Sequence, residues 1–193
     1  MSNDFRLGSF VLGVDPGKDG GVAALLLAGE PMMTVTAMPT LGKSAGAEMD
    51  IRELKHWLDS LVLTGFLQLS LVCIEKQSSR PQQSSTAMGT FLRGYGELLG
   101  AFKWAGAPLV LATPQDWKDD VLRGTKKEKD DAVAYVKRRW PALSLLATEK
   151  SRSPHDGMAE AVCIAEHART LLLGGGKSPR TNKKNKKDEG EGP

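Results

Sequence analysis

The sequence predicts one α/β domain built on a mixed sheet. Three observations lead there. Three strand-like apolar runs open the chain, the first two joined by a short glycine-bearing turn as in a hairpin; helical stretches then alternate with two further runs; and helices close it. At 193 residues, 40% hydrophobic and 25% charged, the chain can bury a core without metal or disulfide staples.

Taken in order, strands are predicted at Phe10–Asp15, Gly21–Leu27 and Met33–Met38. A polar, glycine-bearing stretch, Thr40 to Glu48, follows. Asp50 is placed to cap a helix running to about Leu63, with Ile51, Leu54, Leu58 and Leu61 at helical spacing. Ser70–Glu75 reads as a buried strand. Beyond a polar loop come a helix from about Ser85 to Ala105, a strand at Leu109–Ala112, and shorter helices near Pro114–Leu122 and Lys126–Trp140. The last helix spans about His155 to Leu173, with Ser153-Pro154 resembling its start and Gly174 its stop.

No apolar run reaches the ~18 residues of a membrane span. The N-terminal MSNDFRLGSF lacks the basic-then-apolar order of a signal peptide. Cys73 and Cys163 both sit in apolar surroundings, as buried free thiols do. The expected location is cytoplasmic. Net charge is +3, and its distribution is uneven: of 26 basic and 23 acidic residues, six and three lie in residues 174–193, leaving 20 of each before them. Residues 1–173 are therefore read as one neutral domain and 174–193 as a disordered basic tail with almost nothing to bury.

Within this frame, four acids stand out. Asp15 ends the apolar run VLGVD, where a buried strand would stay apolar. An Asp before Pro-Gly can simply start a turn with its own side chain. Glu75 repeats the pattern at the end of SLVCIE, and α/β sheets form their sites where strand ends open a crevice. Asp156 and Glu160, in HDGMAEA, lie four apart and so on one face of a helix that is otherwise small and apolar. Acids in a first turn favour the helix dipole, which accounts for Asp156 better than for Glu160. A bridging cation accounts for both. Carboxylates from two strand ends and one helix suit a hard divalent ion such as Mg²⁺. Two ions ~4 Å apart can activate water and stabilise the leaving oxygen of a phosphodiester. His56, His155 and His167 show no zinc-ligand spacing with the cysteines.

VDPG, IEK and HDGMAEA, in this order and spacing, resemble the RuvC-type Holliday junction resolvases of the ribonuclease H-like superfamily, over roughly residues 8–173. The resemblance implies a ribonuclease H-like mixed sheet flanked by helices. It also implies a homodimeric endonuclease that nicks four-way DNA junctions at paired positions, using Mg²⁺ (two ions per site, with Mn²⁺ able to substitute). Asp15, Glu75, Asp156 and Glu160 match the family's catalytic, metal-binding acids. One departure is visible: bacterial members usually space the last two acids by three, with Asp at both. Asp156-x-x-x-Glu160 looks closer to divergent phage, organellar or poxvirus-like branches, and His155 is placed to assist or replace a ligand.

Residues expected to meet DNA are Lys76 and Arg80, in the loop after Glu75, and Lys118, Lys127 and Lys129 in the segment before the last helix. Many acids interleave that segment, so part of it reads as a solvated helical face. On the predicted helix from Ser85, Met88, Leu92, Tyr95, Leu99 and Phe102 form a seam, while Gly96 and Gly100 would allow close approach of a partner subunit. Competing readings are a ribonuclease H-like nuclease of other specificity and a branched-DNA-binding protein without activity. A sugar- or acetate-kinase-like ATPase also opens on a strand ending in Asp, but 173 residues are few for its two lobes. A pure binder gains nothing by facing phosphates with four carboxylates.

Overall fold

The computed structural model describes residues 7–28, 32–42, 47–77 and 85–174. Three strands open it: β1 (Ser9–Asp15), β2 (Gly21–Leu26) and β3 (Met33–Ala37), each antiparallel to the next. Two-residue strands β4 (Thr40–Leu41) and β5 (Glu48–Met49) then pair in a separate ribbon, where the sequence reads as a polar loop. Helix α1 (Ile51–Leu61) follows, with the Asp50 carboxylate accepting from the Arg52 and Glu53 amides as its residue type predicts. A 3₁₀ turn (Val62–Thr64) ends at Gly65, whose φ of 94° favours glycine.

Strand β6 (Gln68–Glu75) pairs parallel to β1, and after helix α2 (Ser85–Trp104) strand β7 (Leu109–Ala112) pairs parallel to β6. The resulting sheet has order β3-β2-β1-β6-β7, the mixed sheet expected. Helices α3 (Pro114–Val121), α4 (Lys129–Arg139) and α5 (Asp156–Leu172) complete the chain. Helix α4 starts three residues later than its composition suggests. Lys127 adopts a φ of 63°, and Glu128 and Asp131 then cap the helix reciprocally. The start of α5 differs too: His155, not Ser153, is its cap, with Nδ1 accepting from the Met158 amide at 3.3 Å.

Strand alternation sorts the core into two layers. Phe10, Leu12, Val14, Val72 and Ile74 face one side, against Leu54 and Leu61 of α1 and Leu98 and Phe102 of α2. Val11, Leu71 and Cys73 face the other, against α3, α4 and the apolar face of α5. Burial pushes the Cys73 thiol up to about 12 and the Cys163 thiol to a still higher value, and both are free. Among the described residues no helix is long and apolar enough to cross a membrane.

Candidate active site

The two-residue period of a strand also decides where the strand-end acids point. Asp15 shares its face with Val11 and Gly13, and Glu75 shares its face with Leu71 and Cys73, so both project toward α5. Val14 lies opposite Ile74 in the parallel register, and the two acids therefore end neighbouring strands at the same level. What brings α5 to them is the absence of side chains. A Cβ on Gly13 would come 2.1 Å from the Ala165 nitrogen, and one on Gly157 would come 2.2 Å from the Asp19 carbonyl oxygen. Helix and sheet meet backbone to backbone, with Glu160 brought onto Asp15.

The charges at this junction are strongly coupled. Asp15 is held well above the ordinary carboxylate range, first by burial, then by the negative charges of Glu75 and Glu160; Lys129 offsets this in part. Glu160 is raised as well, again chiefly by burial, with Glu75 and Asp156 adding to the shift and Lys118 and Lys129 opposing it. The closeness of Glu160 adds a further, smaller push to the Asp15 carboxyl in the same direction. Lys118 Nζ lies 3.7 Å from Glu160 and Lys129 Nζ 3.6 Å from Asp156. Glu75 is 9% exposed; its Oε2 accepts from the Trp117 indole at 2.8 Å and its Oε1 from the Gln77 amide at 3.1 Å.

All four predicted acids thus belong to one electrostatic cluster, though unequally. Asp15, Glu75 and Glu160 line its interior, while the Asp156 side chain is 45% exposed at the first position of α5. Among the described residues no three acids, histidines or cysteines stand at metal-ligand spacing: the oxygens are drawn to each other and to lysines. The donor set nevertheless suits a hard cation. It is all carboxylate oxygen, and burial, reinforced by the mutual negative charge, raises two of its members above the ordinary carboxylate range. His155 is less suited to ligation. With Nδ1 committed as an acceptor, the neutral ring carries its proton on Nε2 and offers a donor there.

The predicted DNA contacts divide. Lys118 and Lys129 reach the acids directly. Lys76 is exposed just after Glu75, its amide bonded to the Ala112 carbonyl at 2.7 Å. Lys127 is paired with Asp119 instead of the cluster. Arg80 lies outside the described residues. Sequence reasoning missed Trp117, whose role depends on a contact 42 residues distant in the chain. It also missed Gly13, which in sequence is one small residue inside an apolar run.

No family model matches the sequence, and neither does any curated protein. Solved structures do match. Thermus thermophilus RuvC aligns over 87% of this chain and 98% of its own, at 20% identity and a TM-score of 0.51. The fold is that of RuvC. A second T. thermophilus RuvC structure, in complex with a Holliday junction substrate, aligns over the same shares at 19% identity and a TM-score of 0.53. The yeast mitochondrial Holliday junction resolvase Ydc2 aligns over 89% of this chain at 14% identity, with a TM-score of 0.42. That fold agrees with the five-stranded mixed sheet flanked by helices described above.

Proposed function

We propose that this chain is a structure-selective endodeoxyribonuclease that resolves four-way DNA junctions by paired, divalent-metal-dependent nicks. The observation carrying this reading is the convergence of Asp15, Glu75 and Glu160, with Asp156 at the rim, on one crevice of a RuvC fold. Asp15, Glu75 and Glu160 would hold Mg²⁺, or Mn²⁺ in its place, with Asp156 completing the set. Bound ions supply activation of the attacking water and stabilisation of the leaving oxygen. The chain's own part is to present buried, preoriented carboxylate oxygens. Lys118 and Lys129 then become available to phosphate oxygens, which match their charge.

Paired nicking requires two such sites, and a homodimer is proposed to supply them. The seam suggested by the sequence of α2 is corrected in part by packing. Tyr95 and Leu99 lie against the chain's own core, and Phe91 stacks on Tyr95 with centroids 6.2 Å apart. The outward face instead carries Leu92, 48% exposed, with Gly96 and Gly100, around whose Cβ positions there is open space. That face is the proposed subunit contact. The basic tail lies outside the described residues and is proposed to add phosphate contacts.

The function is tested by incubating the full chain with Mg²⁺ and a synthetic four-way junction, a linear duplex of the same sequence, and an RNA–DNA hybrid. Selective cleavage of the junction is expected. Preferential cleavage of the hybrid would assign the site to a ribonuclease H-like enzyme of other specificity. Tight junction binding without cleavage, in Mg²⁺ or Mn²⁺, would make the chain a binding protein.

A further inference from the structure

Among the described residues, Glu75 is the acid of the cluster held by neutral side-chain donors on both of its oxygens. One donor, Gln77, sits two residues on in the same strand-end segment. The other, Trp117, comes from α3 and is fully buried. Burial of an indole does not by itself place the N–H on a partner here: Trp140 Nε1 is also buried and has none. Helix α3 is fixed independently of this bond. Thr113 and Asp116 form a capping box at its start, Asp120 Oδ2 lies 2.8 Å from His167 Nδ1 on α5, and Lys118 faces Glu160. The indole is therefore aimed at Glu75 by a helix anchored to the same α5 that carries Asp156 and Glu160.

We propose that Trp117 is a positioning residue of the metal centre. Its N–H occupies one lone pair of Glu75 Oε2 and keeps the carboxylate in one orientation beside Asp15 and Glu160, leaving the remaining lone pairs to a cation. Groups that hydrogen-bond a metal ligand in this way typically carry a ten- to hundredfold share of metal affinity. The inference rests on the metal-nuclease reading above.

The test uses Trp117→Phe in the full chain, which keeps an aromatic ring and deletes the N–H. Mn²⁺ binding is measured calorimetrically without DNA, alongside thermal melting in EDTA. Mn²⁺ affinity is expected to fall about tenfold or more, with the cooperative melt retained. Leu122→Ala, a core truncation just past α3 that leaves both side-chain donors of Glu75 in place, serves as the packing control; it should lower the melting temperature and leave Mn²⁺ affinity unchanged. Unchanged Mn²⁺ affinity in folded Trp117→Phe overturns the proposal, as does an equal loss in Leu122→Ala. If the Phe variant fails to fold, benzothienylalanine at position 117 keeps the bicyclic shape with sulfur in place of N–H and carries the same test. Weakened Mn²⁺ binding in a chain whose wild type cuts no junction would leave Trp117's role standing and overturn the nuclease reading. A wild type that binds no Mn²⁺ overturns both.

Discussion

Asp15 is costly to the fold in the absence of a cation. Its carboxyl is held above its unfolded value, chiefly by burial, so the native state binds a proton there more readily than the unfolded chain does. Stability from that proton is complete below the unfolded pKa and is lost as pH rises through the folded one. At neutral pH, Asp15→Asn is therefore expected to raise the melting temperature in EDTA by roughly 2–4 °C, the shift that about 1 kcal/mol produces in a chain of this size. The same substitution should abolish junction cleavage while leaving junction binding, since basic residues still meet phosphates. Near-wild-type nicking at saturating Mg²⁺ would contradict the assignment, and calorimetric scanning in EDTA checks the sign of the stability change. Asp15 and Glu75 were legible because an acid closing an apolar run violates the pattern around it. Trp117 was not, because nothing local distinguishes an indole that packs from one that donates to a carboxylate.

At the scale of elements, the site exists because α5 lies directly on β1. Gly13→Ala would place a methyl within 2.1 Å of the α5 backbone, a contact that only helix displacement relieves. The expected cost is about 1–3 kcal/mol in urea unfolding. A helix shifted by ~1 Å separates Glu160 from Asp15 and should cut nicking on the order of a hundredfold. Full activity in a folded Gly13→Ala chain would show that the close approach is not what assembles the acids. Hydrophobic periodicity placed every strand of the main sheet and each helix within a few residues. It failed where caps decide: Lys127 in left-handed geometry and His155 at the head of α5 depend on local hydrogen bonds that apolar spacing does not encode. It also misassigned Tyr95 and Leu99, because helical spacing alone cannot say whether an apolar face meets the sheet beneath it or another molecule.

For the whole molecule, charge is arranged in two parts. Residues 1–173 are balanced in charge and carry the acid cluster with Lys118 and Lys129 beside it, while the excess basic charge lies in residues 174–193. Truncation after Gly174 should leave the melting temperature unchanged and make junction binding less salt-dependent. The slope of log affinity against log salt would fall by up to about 5 if all six basic residues meet phosphates. An unchanged slope would show that the tail touches no DNA. The overall α/β class was legible from element order, whereas the proposed pairing of sites across a two-fold axis would involve a second chain, and the exposed face of α2 is offered as its contact. The central claim, that two copies of this acid cluster act together on one junction, is tested most directly by mapping nicks on a four-way junction labelled in turn on each of its four strands. Two nicks, symmetrically placed on opposing strands of like polarity and lost together in Glu75→Gln, are predicted; a single nick, or cuts scattered along the arms without symmetry, would contradict the account.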